Sequence, residues 1–584
     1  MTTQQQRPIY KIIISDREYT SWSFVNPETN SPKSLSESES LFNPAHLKIF
    51  SGDLVDLSSP IPVIRESPIK HTQIPGILIV EGNQTYGRTA NQKRNFYKCI
   101  PDDKHLPAFL IPYTPEISFS KTLKNRFVVF RFDNWTTKHP QGILTENIGE
   151  VDNLSAFYEY QLYCKNIHHN ITEFNTSAKK ATKCIPESKL QNPHFFRPSS
   201  IKPALYIFSI DPEGTKDIDD AFSVFVESPF IVVVRIYIAN VFAWMETLEL
   251  WSAFGERVST IYLPDSKRSM LPAILTDTVC SLTADKTYKP VFCMEVKIDT
   301  SNNQIIRHSV RVFNQTVIIN KNYSYENARL LADADYQLLY KHTKLLDSSV
   351  QDSHDVVSYW MIYMNSYCGE KLHQKSRGIY RQVLMDKEED PEPHLDMLPP
   401  KTRQFLQIWN NNMSGEYVSL SPSNTARIQH AGLGKTAYIH ITSPIRRLVD
   451  LLNQMIYQKE FGLVERISEP GEEFLQRWMG DLSKINGAMK RIRKVQMNCD
   501  LLFRCNAHPV WMQHPHRGII IDRVEKTDGI YSYTVYLSDL NILGKVTTQE
   551  KYVIFSVMQF RIYMFQNADK ITRKIRFAID SGSI

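Results

Sequence analysis

Short apolar runs separated by turn-forming residues occupy both ends of the chain. Residues 76–80 and 96–100 near the N-terminus, and 517–521 and 531–537 near the C-terminus, are β-type runs of this kind. Many short strands punctuated by turns are typical of small antiparallel barrels. The middle of the chain mixes strand-like runs with helical spacing, which is clearest from Tyr359 to Lys371. The pattern therefore predicts barrels at both ends of a mixed α+β body.

Changes in composition give the predicted domain boundaries. The tract between residues 29 and 39 is rich in Ser, Pro, Asn and Glu and has little to bury, as in mobile chain segments. OB-like barrels bind single-stranded nucleic acid by base stacking and backbone charge. The predicted order is a mobile segment at 1–44, a first OB-like barrel at 45–115, a second OB-like barrel with its linker at 116–200, an α+β domain at 201–507 and a C-terminal OB-like barrel at 508–584.

Composition narrows the class of protein. A chain of 584 residues, 42% of them hydrophobic, can bury several cores. Its 68 basic and 62 acidic residues nearly cancel, so the net charge of +6 does not by itself indicate nucleic-acid binding. The eight cysteines form no Cys-x-x-Cys pair, and the sequence contains neither a membrane-length apolar run nor a signal-peptide core. We therefore expect a soluble intracellular protein, cytoplasmic in the first instance, with no membrane partner.

An acidic loop carries the first candidate chemistry. Two apolar runs, residues 205–210 and 221–226, flank a loop in which Pro212 and Gly214 supply the turn. Repulsion between close carboxylates destabilises such a loop unless a cation neutralises it, and hard oxygen ligands select magnesium, manganese or calcium. Two magnesium ions on a phosphodiester can activate water and stabilise the leaving oxygen. The four carboxylates are Asp211, Asp217, Asp219 and Asp220.

The acidic loop has two other interpretations. A calcium EF-hand is excluded, because a loop starting at Asp211 places Lys216 where glycine is needed and Phe222 where the bidentate glutamate belongs. A solvated or purely structural acidic turn remains open on the residues alone.

A second candidate site lies far along the chain. Ser443 and Pro444 predict the N-cap and first residue of a helix, whose free amides and dipole favour an anion. Arg446 and Arg447 in its first turn can add forked hydrogen bonds to phosphate oxygens. The alternative is that Arg446 only pairs with Asp450 one turn later, a weak interaction.

Two long motifs have the residue order of a known family. Residues Asp211 to Ala221 follow the pattern Asp-Pro-x-x-x-x-Asp-Ile-Asp-Asp-Ala, and His430 to Arg447 run from His-x-Gly-Leu through Tyr-x-His-x-Thr-Ser-Pro-Ile-Arg-Arg. Both resemble the RNase II/RNase R family, also called the RNB family, and in particular its eukaryotic exosome-associated branch. The resemblance implies two N-terminal cold-shock OB barrels, a central α+β RNB catalytic domain and a C-terminal OB-fold barrel.

The same resemblance implies an activity and a set of site residues. It implies a processive 3′-to-5′ exoribonuclease that uses magnesium, with manganese as a substitute, and releases 5′-nucleoside monophosphates from single-stranded RNA. We expect a monomer, and the sequence names no protein complex. All four aspartates are implied metal ligands, and the implied catalytic residues are Asp219, Asp220 and Arg446. The implied RNA-binding residues are Tyr262, Tyr325, Arg381, Arg446 and Arg447.

Several of these assignments have alternatives. The two tyrosines could be half-buried core residues, and Arg381 could lie on the surface. The chain departs from the family pattern at Val383, where histidine is usual, and at Gln454-Met455, where His-Arg is usual. The basic run 490–494 could contact RNA or form a solvated helix face. A catalytically silent RNA-binding scaffold and a metal-dependent DNA nuclease are the competing functions.

Overall fold

The computed structural model describes residues 9–34, 43–59, 61–115, 122–183, 205–383, 415–420, 428–526, 529–566 and 573–580, with a few isolated positions. The chain divides into two units, residues 1–168 with 495–584, and residues 169–494. No helix among the described residues is long and apolar enough to cross a membrane.

Two five-stranded β-structures form the N-terminal part of the first unit. Their strands are β1 Ile9–Ile14, β2 Trp22–Val25, β3 Pro32–Lys33, β4 Leu54–Asp56, β5 Val63–Glu66, β6 Gln73–Leu78, β7 Asn95–Pro101, β8 Phe109–Tyr113, β9 Arg126–Asn134 and β10 Gln141–Glu150. The first structure is a sheet in the order β3-β2-β1-β4-β5, and the second is a closed barrel in the order β10-β8-β7-β6-β9. One apolar cluster joins Ile12 and Phe24 of the sheet to Phe109 and Phe130 of the barrel.

The predicted boundaries are wrong in this region. Residues 9–33, assigned to the mobile segment 1–44, form β1 to β3, and β1 pairs with both β2 and β4. Ile12 and Ile14 of β1 are fully buried. The predicted break between 115 and 116 separates β8 from β9, although both belong to one barrel. The short apolar run at the start of the chain is followed closely by the polar tract at 29–39, and this tract favours a mobile segment in the sequence. Residues 35–39 of the tract lie outside the described ranges.

The C-terminal part of the first unit is a further five-stranded antiparallel sheet. Its strands are β22 His516–Glu525, β23 Tyr531–Leu537, β24 Ile542–Thr548, β25 Val557–Gln566 and β26 Arg573–Ile579, in the order β24-β23-β22-β25-β26. Ile520, Tyr533 and Phe560 lie in its core. The predicted fold class is confirmed, with OB-like β-domains before and after an α+β domain in the sequence.

A mixed sheet organises the second unit. The strands of this unit are β11 Phe208–Asp211, β12 Asp220–Ser228, β13 Ile231–Ala239, β14 Ile261–Tyr262, β15 Lys267–Arg268, β16 Lys289–Asp299, β17 Gln304–Ile305, β18 Arg311–Val317, β19 Lys321–Ser324, β20 Ile379–Gln382 and β21 Glu416–Ser419. The main sheet has the order β17-β16-β13-β12-β11-β19, with β18 also on β16. The strands β14 and β15 pair with each other, as do β20 and β21.

The central strand β13 explains why the sheet forms. Its β-branched run is buried from Val232 to Ala239, as expected of a strand covered on both faces. Arg235 lies opposite Glu295 of β16, and its Nε donates to the Glu295 carboxylate at 2.8 Å. This pairing satisfies both buried charges and fixes the register of the two strands.

Both units contain α-helices. They are α1 Leu154–Cys164, α2 Thr172–Lys183, α3 Val241–Thr247, α4 Ala328–Leu331, α5 Ala334–Leu346, α6 Ser353–Gln374, α7 Leu448–Glu460, α8 Glu469–Gly480 and α9 Leu482–Ala507. The helical spacing at residues 359–371 is confirmed by α6. Trp360 of α6 is fully buried, and its indole N–H donates to the Thr343 hydroxyl of α5 at 2.9 Å.

Candidate active site

The acidic loop joins two neighbouring strands of the central sheet. Asp211 is the last residue of β11 and Asp220 the first residue of β12, so the predicted strand, loop and strand are confirmed. Gly214 takes a φ of +78°, a left-handed conformation that glycine adopts without strain. The amide of Ala239 on β13 donates to the Asp219 carbonyl at 2.8 Å and anchors the end of the loop. All four predicted carboxylates line one cavity of about 470 Å³.

Asp219 links the acidic loop to the distant arginine segment. Its Oδ1 accepts a hydrogen bond from the amide of Ile445 at 2.9 Å, and its Oδ2 accepts one from Nε of Arg446 at 3.1 Å. The residue is only 3% exposed. Burial raises the pKa of Asp219 to about 7, although Arg446 and the Ile445 amide act in the opposite direction.

Two of the carboxylates each keep one oxygen without a hydrogen-bond partner among the described residues. These buried atoms are Oδ2 of Asp211 and Oδ2 of Asp220. Burial raises the pKa of Asp211 to about 6. Burial, with the charges of Asp211 and Asp219, raises the pKa of Asp220 well above its usual range. Buried carboxylate oxygens that face no donor are the atoms that a cation would stabilise.

Asp217 already has a cationic neighbour. The Nζ of Lys267 on β15 donates to Asp217 at 2.7 Å and to Asp277 at 3.1 Å. The Lys267 side chain is 26% exposed and that of Asp217 is 8% exposed, so this ion pair is partly shielded from bulk water. Lys267 lies 50 positions from Asp217 along the chain, so the sequence alone does not show that the two side chains pair.

The donor set fits a hard divalent cation such as magnesium. Asp211 and Asp220 would hold the ion through their unbonded oxygens, with Asp217 and Asp219 beside them. In the ranges that the structure describes, no three His, Cys, Asp or Glu side chains converge as a complete metal cage. Magnesium usually binds few carboxylates and completes its shell with water and phosphate oxygens, so an incomplete cage suits an ion shared with a substrate.

The acidic loop should make stability depend on both pH and magnesium. Because the pKa values of Asp211 and Asp219 are raised in the folded state, the fold binds more protons than the unfolded chain between about pH 4 and pH 7. Stability conferred by the neutral carboxyls is therefore lost as the pH rises through that interval. A bound cation offsets this loss, so magnesium should raise the midpoint of thermal unfolding by several degrees more at about pH 8 than at about pH 5.

Differential scanning calorimetry with magnesium chloride, and with EDTA, measures this effect. Sodium chloride at equal ionic strength is the control for general screening. Equal shifts with magnesium at both pH values would contradict a metal-binding role for the loop.

The arginine segment begins as a turn. A helix was predicted from Ser443, but α7 begins at Leu448, so the predicted anion site at a helix N-terminus is wrong. The Ser443 carbonyl accepts from the amides of Arg446 at 3.3 Å and Arg447 at 3.0 Å. Arg447 then takes an extended backbone and bridges to Ser259, which prevents the helix from starting earlier.

The two arginines have different partners. Besides its contact with Asp219, Arg446 donates from Nη2 to the Ser443 hydroxyl at 3.1 Å, and its side chain is 46% exposed. Arg447 donates from Nη2 to the fully buried Asp450 at 2.9 Å. The alternative that Arg446 only pairs with Asp450 is therefore wrong, because Arg447 has that partner. Arg446 instead presents a positioned guanidinium to the cavity.

Both predicted RNA-binding tyrosines line the same cavity. Tyr262 is 45% exposed, which excludes a core role, and its hydroxyl lies 3.5 Å from Asp217. Tyr325 is half-buried and stacks on His354 with ring centroids 3.7 Å apart. The amide of Tyr325 donates to the Asp211 carbonyl at 3.1 Å, so the stacked pair is fixed relative to the carboxylates.

Arg381 does not line the cavity that contains the carboxylates. It is 6% exposed, donates to the Gly415 carbonyl and lies over the Tyr417 ring, 5.2 Å from the centroid. The alternative of a surface arginine is therefore wrong. Arg381 lines a second, smaller cavity together with Arg447.

Further residues of the cavity were not predicted as functional. Asn365 of α6 accepts from the Ile441 amide at 3.0 Å and donates to the Tyr438 hydroxyl at 3.1 Å. His440 lies 2.8 Å from the Tyr417 hydroxyl through its Nδ1. Tyr438 and His440 fall within the quoted motif, which could have identified them, whereas Asn365 belongs to no motif.

The departures from the family pattern lie in the core. Val383 is 1% exposed, and Gln454 and Met455 are fully buried. Gln454 donates from Nε2 to the carbonyl of Ala239 at 3.1 Å. None of the three lines the cavity that contains the carboxylates. The three residues therefore belong to the buried core around the site and not to the cavity wall.

The basic run 490–494 on α9 is partly a solvated helix face and partly directed at a cavity. Lys490 is exposed and pairs with Glu416, as on a solvated helix face. Arg493 lines the second cavity. Only part of the run therefore faces a potential ligand.

Two segments of the chain match known protein families. Residues 203–346 and 331–461, which contain all four carboxylates and both arginines, match the RNB domain. The chain carries an RNB domain. Residues 96–160 match the Dis3-like cold-shock domain 2 and cover part of the closed barrel and α1. The resemblance to the RNase II/RNase R family and its exosome-associated branch is confirmed.

Known relatives match the chain at low sequence identity. The exosome complex exonuclease RRP44 of Homo sapiens is 22% identical over 426 residues, which cover 60% of this chain and 43% of that protein. The chain thus spans less than half the length of this curated relative.

Two solved structures share the fold of this protein. Mycoplasma genitalium RNase R, solved with ribose-methylated single-stranded RNA, aligns over 98% of this chain and 100% of its own with a TM-score of 0.65 and 15% identity. Yeast Ssd1, described as a pseudonuclease, aligns over 95% of this chain and 81% of its own with a TM-score of 0.53 and 12% identity.

Proposed function

We propose that the protein is a processive 3′-to-5′ exoribonuclease that hydrolyses single-stranded RNA to 5′-nucleoside monophosphates with two magnesium ions. The observation that carries this proposal is the contact of Asp219 with Arg446, beside the unpartnered oxygens of Asp211 and Asp220. Carboxylates that can bind cations and a guanidinium that can bind a phosphate therefore line the same cavity. Manganese would serve as a substitute ion.

Each chain residue has a defined task in this proposal. Divalent ions held by the aspartates would supply an activated water and offset the charge that develops on the phosphate. Arg446 would bind an oxygen of the scissile phosphate, because its side chain is half-exposed and already oriented by Asp219 and Ser443. Asp219 would contribute in two ways, because it orients Arg446 and would help to hold the ion.

The aromatic walls support a single-stranded substrate. The exposed ring of Tyr262 and the stacked ring of Tyr325 offer faces on which unpaired bases can stack. OB-like barrels are common binding folds for single strands. We further propose that the protein acts as an intracellular, cytoplasmic monomer on RNA.

One experiment tests direction, product and substrate together. A 5′-labelled RNA duplex with a 3′ overhang is incubated with the protein and magnesium, and the products are resolved as a ladder with parallel analysis of released nucleotides. The expected result is shortening from the 3′ end with 5′-monophosphates as products. A matched DNA oligomer is the control that separates an RNA-specific enzyme from a DNA nuclease. Binding without hydrolysis would defeat the proposal.

A catalytically silent RNA-binding scaffold is the second candidate. The observation that favours it is that Lys267 and Arg446 already pair with Asp217 and Asp219, so two of the four carboxylates have cationic partners without a metal ion. If this candidate is correct, the same RNA binds with equal affinity in magnesium and in EDTA and is not shortened.

A further inference from the structure

Two charged residues, Lys267 and Asp277, lie next to Asp217 but outside the cavity that contains the carboxylates. The described lining of that cavity includes Asp217 and neither of these two neighbours. The ammonium of Lys267 lies between two carboxylates, 2.7 Å from Oδ1 of Asp217 and 3.1 Å from Oδ1 of Asp277. The other oxygen of Asp217, Oδ2, lies 3.5 Å from the hydroxyl of Tyr262, which lines the cavity. Lys267 therefore contacts Asp217 from outside the space that an ion and its substrate would share.

The backbone of the acidic loop is fixed on both sides of Asp217. The Ser281 hydroxyl donates to the carbonyl of Lys216 at 2.6 Å and accepts from the amide of Ile218 at 3.0 Å. Ser281 follows Asp277 by four positions, so one short segment of the chain holds both the loop and the partner of Lys267. Asp217 therefore keeps a fixed position relative to the lysine.

The hairpin that carries Lys267 is tied to the active site as well. Lys267 of β15 lies opposite Tyr262 of β14. The amide of Thr260, directly before β14, donates to the carbonyl of Arg446 at 2.9 Å. The ammonium thus belongs to the same framework as the arginine of the cavity and is not a freely moving surface charge.

We propose that Lys267 is a built-in counter-charge that lowers the affinity of the acidic loop for its divalent cation, and that Asp277 limits this effect. A positive charge beside a cation site opposes binding of the cation. The side chains of Lys267 and Asp277 are 26% and 27% exposed, so solvent screens their charges only in part. An ion held weakly by the protein takes more of its ligands from the phosphate of the substrate. The inference rests on the proposed function only in requiring that the loop holds a divalent cation.

The alternative is that Lys267 only positions Asp217 for the ion. The two roles give opposite results when the lysine charge is removed. Loss of a counter-charge strengthens cation binding, whereas loss of a positioning contact weakens it.

Three substitutions separate these roles. Lys267→Gln removes the charge and keeps a hydrogen-bond donor for Asp217. Lys267→Arg keeps the charge. Asp277→Asn removes the negative charge that offsets the lysine, so the ammonium retains a single carboxylate partner.

Lys297→Gln is the matched control. The Lys297 side chain is 25% exposed and pairs with Glu227 at 2.6 Å, so its surroundings are similar to those of Lys267. Lys297 lies opposite Val233, six positions along β13 from Ala239, which is about 20 Å from the end of the sheet that anchors the acidic loop.

Cation binding is measured without RNA, so the result does not depend on turnover. Manganese is titrated at about pH 8 with electron paramagnetic resonance detection of the free ion, and magnesium is added as a competitor. Lys267→Gln should lower the half-saturating manganese concentration about tenfold, and Asp277→Asn should raise it about threefold or more. Lys267→Arg and Lys297→Gln should stay within about twofold of the unmodified protein. Circular dichroism verifies that each variant is folded.

Unchanged or weaker manganese binding by Lys267→Gln, relative to Lys297→Gln, would overturn the counter-charge role. Failure of the proposed function is a different result, in which the unmodified protein does not hydrolyse RNA in magnesium but the opposite shifts of Lys267→Gln and Asp277→Asn are still measured. Absence of manganese binding to the unmodified protein would overturn both.

Discussion

Asp219→Asn is expected to abolish RNA hydrolysis, with a loss of about a thousandfold or more, while RNA affinity changes by less than about threefold. The substitution keeps the size of the side chain but removes its charge. If Oδ1 continues to accept from the Ile445 amide, the new amide group faces Nε of Arg446, and two donors then oppose each other across a distance that is now 3.1 Å. The substitution would remove one carboxylate from the group that would hold the ion, and it would also remove the orienting partner of Arg446.

Single-turnover hydrolysis of a labelled RNA, together with fluorescence anisotropy in EDTA, measures the two quantities separately. Asp299→Asn is the matched control, because Asp299 lies at the end of β16 and accepts from Ser301 in an exposed turn, where asparagine can make the same hydrogen bonds. Loss of binding and hydrolysis together, in a folded Asp219→Asn protein, would count against the assigned role.

The sequence predicted those parts of the site that depend on local pattern. The strand, loop and strand around Asp211 and Asp220 followed from two apolar runs and two turn residues, and the structure places the carboxylates accordingly. The OB-like barrels followed from strand periodicity and turns in the same way. The fold class was predictable because these signals lie within short windows.

The wrong predictions share a physical cause. A serine and a proline before an apolar helical pattern favour a helix from Ser443, but long-range pairing of Arg447 with Ser259 outweighs that local preference. Likewise, Ile12 and Ile14 are buried by distant strands, although a polar tract follows them closely. Tertiary hydrogen bonds decided both cases, and a single sequence does not show them.

The contacts that a single sequence does not show join positions far apart in the chain. Lys267 and Asp217 are separated by 50 residues, and Asp219 and Arg446 by 227. The second, smaller cavity brings together Arg381, Arg447 and Arg493 from three segments of the chain. The resemblance to the family identifies most of these residues as candidate site residues. Neither the resemblance nor the local pattern shows which of their side chains are in contact.

Arg446→Lys is expected to lower kcat by about a hundredfold or more while changing KM little. The guanidinium of Arg446 contacts Asp219 through Nε and Ser443 through Nη2 at once, which fixes its plane in the cavity. A lysine ammonium retains the charge but has a single nitrogen, so it cannot keep both contacts and also present a forked pair of donors. If Arg446 binds the phosphate mainly as charge accumulates in the transition state, the loss falls on kcat.

Steady-state hydrolysis of a labelled single-stranded RNA measures this effect, and Arg561→Lys is its control. Arg561 of β25 makes a similar contact, since its Nε lies 3.1 Å from an Asp580 oxygen and its side chain is 39% exposed. It differs from Arg446 in lying outside the RNB domain, so its replacement should leave kcat unchanged. An equal fall in kcat for both variants would point to general destabilisation. A rise in KM alone for Arg446→Lys would mean that Arg446 binds substrate and transition state equally and has no special part in the chemical step.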